Sequence, residues 1–360
     1  MTSTWHVARV VAALIVMILI LVGNVVNIVV IRKAKTIPRN ARYFMLSLCL
    51  TDLGVGAAIA FTMYPLATGH WPYGDTACIA VGIVTHTLSV TSIIALLALS
   101  IERYLAMVRP LKYSLLATKG RAIAINAAIW ISVTLFSIVI SLIQGPEFFS
   151  FNANQGTCVA HYELPKYRNS AFFSAIVFIF IPTTVMIAIY LVILSSSYKH
   201  ARIVTENRNE SSNRSTNPPP PLLPSSTSSL PTVATPTIDM EHTTTSRNNT
   251  IVVTMFIVTG TFVICYYPYA ILSLYTAATG NTASPAIAFA VRLLLRSNSF
   301  LNTFIYGYRY RFVRAACTSF LRCYFLKPRS RVTPDESLRT VHLSNTHVSM
   351  IVEHISEQET

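Results

Sequence analysis

The sequence predicts an all-α membrane protein: a seven-transmembrane helix bundle followed by a short amphipathic helix 8 on the cytoplasmic leaflet. Three observations predict it. Of 360 residues, 52% are hydrophobic and only 12% are charged, about half the charged share of a soluble domain. The apolar residues fall in seven long runs with almost no charge. The few charges are strongly basic, 28 Lys+Arg against 14 Asp+Glu for a net charge of +14, and they gather on alternate connections. Disorder along the whole chain is excluded by the apolar content, and a nucleic-acid binder would be charge-rich as well as basic.

The spans follow in order. Val10–Ile31 has no charged residue over 22 positions, enough for roughly 30 Å of hydrocarbon at ~1.5 Å per residue. It is too long for a signal-peptide core, and no small-residue cleavage site follows it. The others lie near Tyr43–Ala67, interrupted only by Asp52, then Cys78–Ile101, Ala122–Gln144, Ala171–Tyr198, Thr250–Tyr275 and Pro285–Tyr308.

An odd number of spans puts the termini on opposite sides, and the positive-inside rule decides which. Connections 1–2, 3–4 and 5–6 and the tail together hold 23 of the 28 cations. The other side and the outer helix halves share Arg9, Lys166, Arg168, Arg292 and Arg296. The expectation is a multi-pass plasma-membrane protein with its N-terminus outside and its C-terminus cytoplasmic. The glycosylation sequons at Asn209, Asn213 and Asn248 fall on the inner side, where a three-residue pattern arises by chance in Ser/Thr-rich sequence.

The domain reading is therefore an outer N-terminus over 1–9, the helix bundle over 10–308, helix 8 over 309–325 and a disordered tail over 326–360. Within the bundle the inner loop 199–249 is expected to be disordered, because Pro218–Pro221, Pro224, Pro231 and Pro236 stand among many Ser and Thr and cannot build a core. Its proline run suits either an SH3-type partner or a solvated spacer. In helix 8, Tyr308, Phe312, Ala316, Phe320 and Tyr324 recur every four residues while Arg309, Arg311, Arg314 and Arg322 fall elsewhere, a pattern that lies on anionic membrane lipid. Cys323, and less so Cys317, is a palmitoylation candidate or a plain buried cysteine. Ser330, Thr333, Ser337 and later tail hydroxyls are candidate phosphosites.

Six cysteines are present, and only Cys78 and Cys158 reach the oxidising side, so a bridge there has one possible connectivity.

The order and spacing of several motifs resemble those of the rhodopsin-like (class A) G-protein-coupled receptors over roughly Leu19–Cys323. They are Gly23-Asn24 in span 1, Ser47 to Asp52 in span 2, Trp71-Pro72-Tyr73-Gly74 before Cys78, and Glu102-Arg103-Tyr104 ending span 3. Trp130 marks span 4, Pro182 and Tyr190 span 5, Phe262 to Pro268 span 6, and Asn298, Ser299 and Asn302 to Tyr306 span 7. Arg103 lies 25 residues after Cys78, as the family requires. Span 7 also has a short similarity to melatonin-type receptors.

The resemblance implies roles. Asp52 with Asn24, Ser92, Asn298, Ser299 and Asn302 matches a pocket for an allosteric sodium ion, with oxygen ligands suited to a hard cation; an ion-free hydrogen-bonded network uses the same residues. Glu102, Arg103 and Tyr104, with Tyr190 and Tyr306, match the G-protein coupling switch. Ile93, Pro182, Phe262, Tyr266 and Pro268 match the core that repacks on activation, the span-6 proline letting the inner end swing outward. Two residues depart from the pattern: Tyr266 replaces the usual Trp, and Thr303 replaces the usual Pro of span 7, restoring a backbone donor. The inner end of span 6 reads Ser246-Arg247-Asn248-Asn249, without the acid that often completes the inactive lock, so raised basal activity is expected.

The ligand-facing candidates are Thr85, His86, Tyr266, Tyr269, Arg292 and Arg296. Thr85 stands where amine receptors carry Asp, so an amine lacks a counter-ion. Arg296 stands where opsins carry the retinal Lys, and a guanidinium cannot form a Schiff base, so no retinal is expected. Arg292 and Arg296 are four residues apart and share a helix face. They suit a carboxylate or phosphate clamp; snorkelling to headgroups or pairing with Glu147 or Glu163 are the alternatives.

The function expected is a non-enzymatic receptor, with no required cofactor, that binds an extracellular ligand, a small anionic or lipid-like one being the candidate, and activates a heterotrimeric G protein. Receptor kinases and arrestin are expected partners; nucleic acid is not. A ligand-independent receptor and, further off, a seven-helix transporter are the competing readings.

Overall fold

The computed structural model describes residues 3–33, 37–215 and 237–309. Spans 1 to 3 are α1 (Ser3–Lys33), α2 (Arg39–Thr68) and α3 (Asp75–Val108). A short helix α4 (Pro110–Leu116) follows, then span 4 as α5 (Lys119–Gln144). Strands β1 (Phe149–Asn152) and β2 (Thr157–Ala160) form a hairpin. Span 5 is built from α6 (Arg168–Ala175), a π-helical turn (Ile176–Phe180) and α7 (Ile181–Ser215); spans 6 and 7 are α8 (Thr237–Thr279) and α9 (Pro285–Arg309).

Six of these spans are long and apolar enough to cross a membrane. α9 is long enough but not in that set. Arg292, Arg296, Asn298, Ser299, Asn302 and Thr303 make it the polar helix of the bundle. The helices close a ring in which α1 packs on α2, α2 on α3, α3 on α5 and α7, α7 on α8, α8 on α9, and α9 back on α1. α3 is the central post. Polar side chains brace the ring: Asn24 Nδ2 donates to the Ser299 carbonyl at 3.0 Å, Trp130 Nε1 to Ser47 Oγ at 2.9 Å, and Asn27 Nδ2 to Thr303 Oγ1 at 3.0 Å. Outward faces stay apolar, with Ile15, Val22, Ile131 and Leu135 exposed, as a lipid-facing surface requires.

The π turn has a local cause. Pro182 lacks an N–H and its ring crowds the carbonyl four residues back, so the helix widens just before it. The helices also run further than the sequence reading placed them. α1 begins at Ser3, inside the segment read as an outer N-terminus, because Trp5 packs edge-on to Phe289 and Arg9 is buried. Helix also occupies 199–215 and 237–249 of the loop read as disordered. Extending an existing helix needs no new nucleus, no proline occurs between Pro182 and Pro218, and Arg202 pairs with Glu206 one turn on at 2.8 Å. The proline run, helix 8 with Cys317 and Cys323, and the tail lie outside the described residues.

The hairpin was not expected from sequence. Cys158 on β2 is bonded to Cys78 at the start of α3, with 5.4 Å between their Cα atoms, so the strands lie across one end of the bundle. Two glycines let the hairpin sit close. Gly156 has φ of 66°, and a Cβ there would meet Leu66 at 2.3 Å. At Gly82 a Cβ would fall 2.6 Å from the Phe149 ring. Gly82→Ala should therefore push Phe149 out of place at a cost of about 1–3 kcal/mol. Hydrogen exchange of β1 and β2 reads it: faster exchange is expected, with recovery when Phe149→Leu is added.

Candidate functional site

Beneath the hairpin lies a cavity of about 750 Å³, counting the part open to solvent. Its walls come from α3, the hairpin, span 5, α8 and α9. α3 supplies Thr85, His86 and Ser89; the hairpin supplies Phe149, Cys158 and Val159; span 5 supplies Ser174 and Phe178; α8 supplies Tyr266 and Tyr269; α9 supplies Arg292. All six ligand-facing candidates except Arg296 line it. A narrower recess between α2, α3 and α9 shares Thr85, Ser89, Cys158, Tyr266 and Arg292 as walls and adds Arg296. Neither lining contains an acid. Thr85 spends its hydroxyl proton on the Val81 carbonyl at 2.8 Å, which leaves it an acceptor towards the cavity.

The two arginines differ in their surroundings. Arg292 Nε donates to Gln155 Oε1 of the hairpin tip at 2.9 Å, and its guanidinium lies 4.9 Å from the Tyr269 ring centroid. Arg296 has neither an acid nor a hydrogen-bond partner among the described residues. The loop acids that were its alternatives are taken: Glu147 pairs with Lys166, and Glu163 with His161 at 2.6 Å. Arg9 donates to the Ala153 carbonyl at 3.3 Å and stacks 5.5 Å from the Phe289 ring.

One turn below Arg296 is the polar core. Asp52, Ser92, Asn298, Ser299 and Asn302 are all buried. Ser299 and Asn302 stand beside the Asp52 carboxyl, close enough to act on it, but without hydrogen-bond geometry. Both Asp52 oxygens, Ser92 Oγ and both amide ends of Asn298 and Asn302 are buried without a protein partner. Asn24 plays another part, since its amide nitrogen is used on the Ile20 and Ser299 carbonyls, both at 3.0 Å. The Phe262 and Tyr266 rings stack at 4.3 Å just above, with Ile93 and Pro182 also buried in this layer.

At the far end of α3, Arg103 Nε lies 3.2 Å from Glu102 Oε2, an ion pair whose geometry is not that of a hydrogen bond. Tyr113 of α4 donates to Glu102 Oε1 at 2.7 Å. Burial, and then this bond, raise the Tyr113 phenol above its ordinary pKa, so it stays a donor. Tyr104 packs against the core, and Tyr190 is buried with its hydroxyl bonded to Ser100 of α3. The Tyr306 side chain lies outside the described residues.

This arrangement, a seven-helix ring with a disulfide-tied hairpin over a cavity and an acid–arginine pair at the opposite end, matches the family described as 7 transmembrane receptor (rhodopsin family) over residues 23–306. The chain belongs to the rhodopsin family of seven-transmembrane receptors. It is a multi-pass membrane receptor and not an enzyme. It is 26% identical to the octopamine receptor beta-2R of Chilo suppressalis, over 90% of this chain and 82% of that one. It is 36% identical to succinate receptor 1 of Rattus norvegicus over a shorter stretch, 27% of this chain and 30% of that one. The structure superposes on that of squid rhodopsin with a TM-score of 0.74 at 16% identity, covering 94% of this chain and 90% of that one.

Several parts of the receptor's site were missed from sequence. Gln155 and Ser137 carry no local signal, since each matters through a partner far along the chain. Tyr113 sits in a short helix that no apolar run marks. Thr303 was noted only for the missing proline; the structure shows α9 helical through it and its hydroxyl accepting from Asn27.

The His161–Glu163 pair gives the hairpin end a pH dependence. The Glu163 bond raises His161 against the opposing effect of burial. Burial pushes Glu163 up, but the His161 bond, a backbone hydrogen bond and the His161 charge together lower it overall. The His161 contribution is complete below its unfolded value of about 6.5 and is lost as pH rises through the raised folded value. The Glu163 contribution is present above about 4.3 and is lost as pH falls through the lowered value. Amide protection at 160–164 is therefore expected to be greater near pH 6 than near pH 8, and Glu163→Gln should remove that difference.

Proposed function

We propose that the receptor lies in the plasma membrane with its N-terminus outside, binds an anionic ligand with an apolar body beneath the hairpin, and drives nucleotide exchange on a heterotrimeric G protein by outward movement of α8. The observation that carries the ligand half is Arg296. A cation partly buried in the bundle with no acid beside it is costly unless something anionic joins it. The octopamine receptor's name points to an amine for that protein; here no carboxylate lines the cavity to receive one. The succinate receptor's name points to a dicarboxylate, which agrees with a guanidinium wall. Agonist action is a population shift: the ligand binds the open-inside state more tightly than the closed one.

Asp52, Ser92, Asn298, Ser299 and Asn302 would hold a sodium ion, and the unpartnered oxygens of Asp52, Ser92, Asn298 and Asn302 fit one. The ion would supply positive charge that stabilises the closed state. Receptor kinases and arrestin acting on the tail hydroxyls, and a lipid on Cys323, complete the proposal. A screen of carboxylates, phosphates and amines in cells expressing a promiscuous G protein tests it: acids should signal and amines should not.

A second reading is favoured by one contact. Gln155 already occupies Arg292, so the receptor carries an internal partner and could signal without a ligand. Under that reading Gln155→Ala lowers basal exchange and no acid adds to it.

A further inference from the structure

His86 faces the cavity at a point remote from the arginines in chemistry, among the rings of Phe136, Phe149 and Phe178 at 6.3, 6.2 and 6.2 Å. Its Nδ1 lies 2.9 Å from Ser137 Oγ, and Ser137 Oγ lies 2.8 Å from the Val133 carbonyl oxygen. Two oxygens at that separation need a proton between them. The carbonyl has none, so the proton is the one on Ser137. Ser137 is then an acceptor towards His86, and Nδ1 must be the protonated ring nitrogen. No carboxylate lines the cavity to favour a second proton on the ring. The chain His86 to Ser137 to Val133 is satisfied at every link, and Ser137 is fully buried.

The consequence is at Nε2. It carries a bare lone pair, it has no protein donor among the described residues, and it is not sealed off from the cavity. The two charged candidates, Arg292 and Arg296, can only donate. From this the geometry points to a ligand that is an apolar acid bearing a neutral hydroxyl, with His86 Nε2 as the acceptor that selects the hydroxyl and Ser137 as the residue that positions it. No carboxylate stands in the lining to pair with a cationic donor, so the donor assigned here is a neutral hydroxyl. The acid half of this class rests on the Arg296 reading; the hydroxyl half rests on His86 alone.

The test has two arms on the full receptor in lipid nanodiscs. In the first, histidine labelled with ¹⁵N in the ring is compared with His86→Phe and His86→Gln receptors to identify the His86 signals. The expected result is a protonated Nδ1 and a bare Nε2 near neutral pH, a preference that Ser137→Ala weakens; a protonated Nε2 overturns the proposal. In the second, binding is measured for medium-chain carboxylic acids, the same acids with a hydroxyl at successive chain positions, and the methyl esters of both. One hydroxyl position should gain about ten- to a hundred-fold over the plain acid, because the plain acid leaves a buried acceptor unpaired. That gain should vanish in His86→Phe, return in part in His86→Gln, and survive in Arg296→Ala. The preference for acid over ester should do the reverse. A hydroxyl gain without any acid preference sinks the Arg296 reading and leaves His86 standing. An acid preference without a hydroxyl gain at any position, or no binding by any member, overturns the proposal.

Discussion

Arg296→Ala is expected to lower the potency of an acidic agonist by about a hundred-fold or more, in line with the roughly 2–5 kcal/mol lost when a buried charge pair is broken. Arg296→Lys should recover part of it, keeping the charge but not the fork geometry. Arg292→Ala should cost less in potency. Its guanidinium already bonds Gln155 and stacks on Tyr269, so a ligand gains less there, and the variant should also loosen the hairpin tip. Concentration–response curves with each variant at matched surface expression read the difference. Equal losses for Arg292→Ala and Arg296→Ala would contradict the division of labour drawn from their partners.

Arg103→Ala is expected to abolish agonist-driven nucleotide exchange while leaving ligand affinity within a few-fold, since the residue lies at the end of α3 opposite the cavity. Tyr113→Phe should act in the other direction. It removes the 2.7 Å bond to Glu102, a bond to a charged acceptor worth about 1.5–3 kcal/mol, and so frees Glu102 to release Arg103 at less cost. Basal exchange should rise several-fold. Because no acid stands in Ser246–Asn249, Tyr113 is left as the principal brace on this pair among the described residues. Unchanged basal exchange in Tyr113→Phe would show that the Glu102–Arg103 pair is held some other way.

Much of the fold was legible because membrane physics writes itself into composition. Long uncharged runs gave six spans directly, and Asp52 and the polar flank of α9 stood out as residues that lipid would not tolerate. The disulfide was legible from which cysteines reach the outer side. What escaped depends on tertiary proximity. The hairpin is eight strand residues with no strong alternation, held by the disulfide and by the room that Gly82 leaves for Phe149. Arg9 was read only as one of the cations of the outer side and is 1% exposed, with the hairpin tip and Phe289 against it. The choice among partners for Arg292 could not be made from sequence: Glu147 and Glu163 were as near along the chain as Gln155, and only the pairing of those acids with Lys166 and His161 decides it. The long inner helices escaped for a different reason, since Ser, Thr and Asn lower helix propensity without forbidding continuation.

The most direct test of the central claim is nucleotide exchange on a purified heterotrimeric G protein by the receptor in nanodiscs, with and without an acidic agonist from the screen. The account expects acid-dependent acceleration in the wild type, its loss in Arg103→Ala, and a right-shifted curve that reaches the same maximum in Arg296→Ala. Exchange that no acid accelerates, or an acid response that Arg296→Ala leaves in place, would contradict it.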